Sequence, residues 1–241
     1  MGDLVFIGDA HLDRDGRHLD AFLAFLDRLA ETSSRIVFMG DLFNLWIGRR
    51  ELEQPHQTAV VEKLEELRRR GAVVRYVEGN RDYRIGQGYV GDALDEATDS
   101  GLSESFGGKR LFAIHGDLAN PRDRPYRTWR RFSRSAVVWG LFNLMPRRRR
   151  LRWAESLETR LRASNLDFKR ELPEDDIRTY ATSFLESGSD VVLLGHFHAE
   201  KDLLVETGRG SGRILVLPLW TESRRHVRVT TSGDVGFVDS D

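Results

Sequence analysis

Ile36-Val37-Phe38-Met39-Gly40-Asp41-Leu42-Phe43-Asn44-Leu45-Trp46 is the stretch that decides the fold. Its apolar run stops at Gly40-Asp41, and a strand ending there leaves a carboxylate at the edge of a sheet. A single Asp in that position is common in turns. Four other apolar runs end the same way, each in residues able to bind metal. Asp9 and His11 follow Leu4-Val-Phe-Ile7, and Asn80 follows Val73-Val-Arg-Tyr-Val77. His115 follows Arg110-Leu-Phe-Ala-Ile114, and His196 and His198 follow Val191-Val-Leu-Leu194. Asp41 is placed at the centre of this set, bridging two metal ions.

Outward from that stretch the chain alternates strand and helix. Residues 4–8 read as a buried strand, and Phe22, Phe25, Leu26 and Leu29 have the spacing of one helix face. Residues 35–40 form the second strand, and Gly48 to Glu53 a polar loop. Pro55 suits a helix's first turn, with Val60, Val61, Leu64 and Leu67 behind it and a stop near Gly71. Residues 72–78 form the third strand. This rhythm predicts an α/β fold with a largely parallel start. Residues 100–117 read as a hairpin feeding a second sheet, and 190–194 as a further strand. Residues 213–219, 225–231 and 234–239 read as antiparallel strands closing the fold.

The domain reading is a core of residues 1–120 and 187–241 with a helical, Arg-rich insertion at 121–186. Residues 122–162 hold thirteen Arg, no Lys and three acids, about +10 net, against about −11 for the rest of the chain. Such asymmetry marks a segment facing nucleic acid, an anionic membrane or a phosphorylated ligand. Within it, Ser135 to Met145 is strongly apolar, and Pro146 precedes Arg147 to Arg150. Such a segment serves either as a helix packed on the core with solvated arginines, or as a cap whose apolar surface and basic cluster meet anionic headgroups. Nucleic acid is the weaker partner, because the segment lacks the alternating aromatic platform of single-strand binders and the acidic remainder repels phosphate.

Composition bounds the chemistry. The 241 residues contain no cysteine, which excludes disulfides, thiolate nucleophiles and Cys-based zinc sites. No secretory signal is visible at the N-terminus, and no apolar run approaches the ~18–20 residues of a membrane span. Four of the seven histidines fall in the strand-end motifs, while His18, His56 and His226 read as surface or packing residues. A lone Asp-x-His is far more often loop than ligand, and Gly-His-x-His is only moderately specific. Five such motifs at carboxyl ends of strands, where α/β sheets build their sites, point to a dinuclear centre. Two divalent ions ~3.5–4 Å apart can clamp the attacking and leaving oxygens of a phosphoryl transfer. Carboxylate, imidazole and amide oxygen suit Mn, Fe, Zn or Mg.

The order Asp-x-His, Gly-Asp, Gly-Asn, His-Gly-Asp, Gly-His-x-His resembles the calcineurin-like metallophosphoesterase superfamily over the whole chain. The resemblance implies a four-layer fold, two β-sheets sandwiched between helices, here with a helical insertion cap. It implies that Asp9, His11, Asp41 and His198 hold one ion, that Asp41, Asn80, His115 and His196 hold the other, and that Mn²⁺ is the metal. Most of the superfamily has Gly-Asn-His-Asp, where the His assists the leaving group. Arg81 stands there instead. A guanidinium cannot act as a general acid near neutral pH, but it binds phosphate oxygens in a fork. Charge stabilisation then replaces proton donation, which suits a phosphate-monoester leaving group.

Gly-Asn-Arg-Asp followed by Tyr83, Gly40-Asp-Leu-Phe-x-x-Trp-Ile-Gly48, and His-Gly-Asp followed by Asp123 and Tyr126 resemble the UDP-2,3-diacylglucosamine hydrolases of lipid A synthesis. The apolar helix ending in Pro and arginines, then Arg162-Ala-Ser-Asn165, and Thr221-Glu222 continue the match. That family implies hydrolysis of a UDP-linked diacylated glucosamine lipid to UMP and 2,3-diacylglucosamine 1-phosphate. The insertion would be a lid over the acyl chains of a cytoplasmic monomer lying peripherally on the anionic inner membrane. Asp41, Asn80 and Arg81 would be catalytic, and Asn80, Arg81, Asp123, Tyr126, Asn165, Lys169 and His196 would contact substrate. The chain departs from the family at Asn44 and at Arg49-Arg50, where acidic residues are usual, at Leu118-Ala-Asn120, and in Leu-Asp-Phe-Lys-Arg after Asn165. These departures touch substrate recognition, not metal chemistry. Two other readings stay open: a pyrophosphatase or phosphodiesterase acting on another nucleotide-linked lipid or a soluble nucleotide diphosphate, and a non-catalytic scaffold that has kept the fold.

Overall fold

A computed structural model describes residues 2–164 and 172–240. The first half builds β1 (Asp3–Ile7), α1 (Leu19–Thr32), β2 (Ser33–Phe38), β3 (Trp46–Ile47), α2 (Pro55–Arg69), β4 (Val73–Val77), β5 (Asp82–Tyr83), α3 (Gly86–Tyr89) and β6 (Glu96–Thr98). It continues with β7 (Leu102–Phe106), β8 (Lys109–Ile114), α4 (Arg124–Ser133), α5 (Ala136–Leu144), α6 (Arg147–Ser164) and α7 (Glu174–Glu186). The chain closes with β9 (Val191–Leu194), β10 (Lys201–Thr207), β11 (Gly210–Val216), α8 (Trp220–Ser223), β12 (Arg225–Val229) and β13 (Val235–Asp239).

Two sheets carry the structure, ordered β13-β12-β1-β2-β4-β6 and β10-β11-β9-β8-β7. Strands β1, β2, β4 and β6 run parallel, as the strand–helix rhythm predicts. The period-2 alternation of each strand assigns its faces. On β1, Leu4 and Phe6 point into the space between the sheets, where they meet Val37, Leu111, Leu193, Leu215 and Val227. Val5 and Ile7 point the other way, onto Phe22, Phe25 and Leu26 of α1 and Val60 and Leu64 of α2. The outer face of the second sheet packs Val192, Leu194, Ile214 and Val216 against Ile177, Ala181 and Leu185 of α7. The order of layers is therefore helix, sheet, sheet, helix, the fold class expected.

Two features of the closing strands differ from the simple antiparallel reading. β11 pairs antiparallel with β10 but parallel with β9, so it belongs to the second sheet. β12 and β13 close the first sheet instead. The turn through Pro218 and α8 carries the chain from one sheet to the other, which alternation alone does not reveal. In the loop after Trp46, residues 46–47 pair with 82–83 in a two-residue parallel ladder, and Arg50–Leu52 form a single 3₁₀ turn.

The Arg-rich segment divides. Helix α7 lies on the second sheet, as above. Helices α4, α5 and α6 lie over the strand ends, where Phe142, Ala154, Leu151 and Leu157 pack on Leu45, Ile47, Leu52 and Tyr83. Both shorter helices are capped by sequence signals. Asp123 accepts from the Tyr126 amide at 3.0 Å, and Ser135 accepts from the Val138 amide at 3.3 Å. Among the described residues no helix is long and apolar enough to cross a membrane.

Candidate active site

The seven expected metal ligands converge above the carboxyl ends of β1, β2, β4, β8 and β9. Asp9 is fully buried, and its Oδ2 accepts from the His196 amide at 2.7 Å. Its Oδ1 is buried with no hydrogen-bond donor in normal range, facing Nε2 of His198 at 3.5 Å and of His11 at 3.8 Å. Asp41 Oδ1 accepts from the Arg81 amide at 2.9 Å. Its Oδ2 lies 3.9 Å from His11 Nε2 and 3.8 Å from His115 Nε2. Asn80 Oδ1 sits 3.0 Å from both His115 Nε2 and His196 Nδ1.

The backbone is bent to bring them there. Six non-glycine residues among those described have positive φ, and four of them are His11, Asp41, His196 and His198. Each costs on the order of 1–3 kcal/mol and persists only where the surroundings over-determine it. Gly79 is required by close approach, since a Cβ there would lie 2.2 Å from Asp41 Oδ1.

The buried charges of the site act strongly on one another. His115 donates its Nδ1 proton to the Met39 carbonyl at 2.7 Å, which turns Nε2 toward Asn80 Oδ1 and Asp41 Oδ2. Burial opposes a charge on this ring, but the carboxylates of Asp41 and Asp9 outweigh it and raise its pKa to about 9. Burial and the His115 charge together lower His196 to about 4. Burial tends to raise Asp9, yet the surrounding histidines hold its carboxylate ionised far below the usual range. Lone pairs that face one another around buried carboxylates are the signature of a cation site. Asp9, His11 and His198 form one candidate group, and Asp9, Asp41 and His115 a second, each with its ligand atoms within 4.8 Å of one another. Imidazole, carboxylate and amide oxygen donors fit divalent ions of the Mn, Fe or Zn type.

Asp82 is the residue sequence reasoning passed over. Its buried Oδ2 accepts from the Asp41 amide at 2.9 Å, the Gly79 amide at 2.7 Å and the Tyr76 hydroxyl at 2.9 Å. One carboxylate thereby ties the end of β2 to the end of β4. Burial, then the neighbouring Asp41 charge, pushes it up to about 7. The available signal was its place in Gly79-Asn-Arg-Asp82, read only as a family motif.

The expected substrate contacts are placed unevenly. Arg81 is buried, with its Nε 3.5 Å from Asp41 Oδ2 and its Nη2 3.2 Å from the Leu161 carbonyl of α6. Asp123 caps α4. The Tyr126 hydroxyl donates to Asp117, which Arg130 Nε also reaches at 2.8 Å. Tyr126 is therefore tied to the His115-Gly-Asp117 turn, and Asp123 only to Tyr126 through the helix cap. Asn165 and Lys169 lie outside the described residues. Arg49 and Arg50 are engaged away from the strand-end cluster. Arg49 donates to Asn143 Oδ1 at 3.0 Å and stacks 4.9 Å from the Trp139 ring, while Arg50 bonds Glu65, Asp92 and the Gly88 carbonyl.

A family model of the calcineurin-like phosphoesterases matches residues 3–200. The chain belongs to that family. This phosphoesterase is similar to proteins named UDP-2,3-diacylglucosamine hydrolase. One from Stenotrophomonas maltophilia is 28% identical, with 95% of each chain covered. One from Neisseria meningitidis is 32% identical, covering 83% of this chain and 84% of the relative. Among solved structures, one described as a novel archaeal phosphodiesterase aligns with a TM-score of 0.50 at 10% identity, covering 98% of both chains, which speaks to the fold alone. The chain is thus a hydrolase of a family that uses divalent metals, and the donor set above fits them.

Proposed function

We propose that this phosphoesterase hydrolyses the diphosphate of UDP-2,3-diacylglucosamine, in lipid A synthesis, to UMP and 2,3-diacylglucosamine 1-phosphate. The observation that carries the reading is the convergence of Asp9, His11, Asp41, Asn80, His115, His196 and His198 beside Arg81, whose guanidinium reaches the Leu161 carbonyl of the arginine-rich helix α6. The names of the relatives agree with it.

Asp9, His11, Asp41 and His198 would hold one divalent ion, and Asp41, Asn80, His115 and His196 the other, with Mn²⁺ the physiological choice. Bound there, such ions supply charge neutralisation and a water of lowered pKa. The protein's own groups do the rest. Asp82 holds Asp41 in its strained conformation. Oxygen from water joins the α-phosphorus as the bond to the bridging oxygen breaks, and the sugar 1-phosphate leaves with that oxygen. A phosphate leaving group needs no proton, so Arg81, with its fixed charge, suits the position of the histidine usual in the superfamily. Tyr126, capped by Asp123, would support the sugar side through Asp117, and Asn165 and Lys169, outside the described residues, remain the candidates for the sugar and lid.

Helices α4 to α6 are the lid of this reading. Val137, Leu141 and Leu144 of α5 are 72%, 61% and 83% exposed, and Phe132 of α4 is 58% exposed. Apolar side chains so exposed, next to Arg147 to Arg150, fit acyl chains and a peripheral seat on an anionic inner membrane. The test is UMP release with Mn²⁺ from UDP-2,3-diacylglucosamine beside UDP-glucose and CDP-diacylglycerol. Release from the diacyl substrate alone is expected. Equal turnover of the other two would move the substrate to another nucleotide diphosphate. Run in ¹⁸O-water, the reaction should place the label in UMP, and label in the sugar phosphate would refute attack at the α-phosphorus.

A further inference from the structure

We infer that Arg134, at the junction of α4 and α5, is a positioning residue for the loop Gly79 to Asp82. The inference rests on the ligand role proposed for Asn80. Arg134 belongs to the cap by sequence, but its side chain runs into the core and is only 9% exposed. Its Nη2 donates to the Gly79 carbonyl at 2.5 Å and to the Asp82 carbonyl at 3.0 Å. Those two residues bracket Asn80-Arg81. Its Nη1 pairs with Glu78 Oε2 at 3.3 Å and with Asp99 Oδ2 at 3.6 Å. The ring of Tyr83 lies 5.9 Å from the guanidinium carbon. Arg84, in the left-handed region at φ 56°, returns a bond from its Nη2 to the Arg134 carbonyl at 2.5 Å.

The loop is therefore held from two sides. Asp82 gathers the Asp41 and Gly79 amides from within, and Arg134 gathers the Gly79 and Asp82 carbonyls from the cap side. Carbonyl direction at both ends fixes where the Asn80 amide oxygen points, and that oxygen faces His115 and His196 at 3.0 Å. The geometry requires arginine. A rigid fork can serve two carbonyls and an ion pair together, whereas an ammonium is a single point of charge on a flexible stem. The bond from Arg81 Nη2 to the Leu161 carbonyl of α6 makes a second tie between the same loop and the cap. Seating of the cap and alignment of the metal loop are thus one mechanical event.

The experiment compares Arg134→Ala and Arg134→Lys with the wild type and with Asp41→Ala. Three quantities are read: Mn²⁺ affinity of the metal-stripped protein by calorimetry, hydrogen exchange at the Asn80 to Asp82 amides, and kcat against KM for UDP-2,3-diacylglucosamine. Arg134→Ala should weaken Mn²⁺ about 10- to 100-fold, the usual cost of losing an outer support of a metal site. Exchange in the loop should speed up, and kcat should fall by roughly 100-fold, the scale of a 1 Å misplacement, with KM little changed. Arg134→Lys should recover part of each loss. Wild-type Mn²⁺ affinity and loop exchange in Arg134→Ala overturn the inference even if KM rises, because a residue serving the cap alone gives that pattern. If the alanine variant does not fold, an Arg134→Lys protein indistinguishable from wild type overturns it, and a graded loss supports it. Full activity in Asp41→Ala would instead bring down the metal reading itself, separately from Arg134.

Discussion

The Nε2 atoms of His11 and His198 face each other at 3.0 Å, with the buried Oδ1 of Asp9 within 3.8 Å of both. Two imidazole nitrogens and a carboxylate in that arrangement share either a proton or a cation. Burial, then the Arg81 charge, pushes His11 well below the ordinary histidine range. Burial opposes a charge on His198 too, but the facing Asp9 carboxylate raises it. A divalent ion relieves both at once.

Metal removal should therefore cost stability as well as turnover. Dialysis against a chelator should abolish hydrolysis, and Mn²⁺ should restore it. Binding to the folded state alone stabilises by about 2.7 kcal/mol at a ligand concentration of 100 Kd, so calorimetry should record a rise of several degrees on Mn²⁺ addition. His198→Ala should lose most of that rise. An equal shift in the variant would place the ion elsewhere.

Asp82→Ala should be among the most damaging substitutions outside the ligands. It leaves the Asp41 amide, the Gly79 amide and the Tyr76 hydroxyl without their shared acceptor in a buried place. Each orphaned donor costs about 1–3 kcal/mol. A loss of roughly 3 kcal/mol or more in denaturant unfolding is expected, with kcat falling alongside. Asp82→Asn keeps one acceptor oxygen and should be milder. An alanine variant of native stability would show that the three donors find other partners.

The α/β layering and the clustering of the strand-end residues were legible because both obey short rules. Amphipathic helices alternated with short apolar runs, and five of those runs ended in residues able to bind metal; which face Leu4 and Phe6 take on β1 was not legible, since Val5 and Ile7 are equally apolar. Positive φ at His11, Asp41, His196 and His198 was not legible, since no local preference of those residues demands it. Nor were Asp82 and Arg134. Each acts by collecting backbone groups from distant segments, and backbone groups leave no mark in side-chain spacing. Helix α7 escaped for a different reason: Ile177, Ala181 and Leu185 form a short stripe, read together with the arginine-rich run before it.

Arg49 offers a measure of how firmly the cap sits. Its guanidinium joins Asn143 and the Trp139 ring of α5. An exposed cation–π contact contributes about 0.5–1 kcal/mol. Arg49→Ala should hardly move the unfolding midpoint, yet proteolysis within α5 should accelerate. Unchanged cleavage would mean that the apolar contacts of Phe142 and Ala154 hold the cap without it.

His226 supplies a pH dependence well away from the metal centre. It is buried beside Phe25, and its Nδ1 lies 2.9 Å from the Ser240 hydroxyl, which also accepts from Trp220 Nε1 at 3.1 Å. Because Ser240 Oγ accepts from Trp220, its own hydroxyl proton can go to Nδ1, which accepts it as a neutral ring. Burial, then the Arg228 charge, lowers the His226 pKa to about 4, below the unfolded value near 6.5. The unfolded chain therefore binds more protons between those limits, and stability rises with pH across them. The contribution is complete above about pH 6.5 and drains away as pH falls toward 4. At about 1.4 kcal/mol per unit it is on the order of 3 kcal/mol. His226→Leu removes the titration, so its unfolding free energy should fall less than that of the wild type between pH 7 and 4. Parallel curves for the two proteins would mean that His226 carries its proton in the folded state.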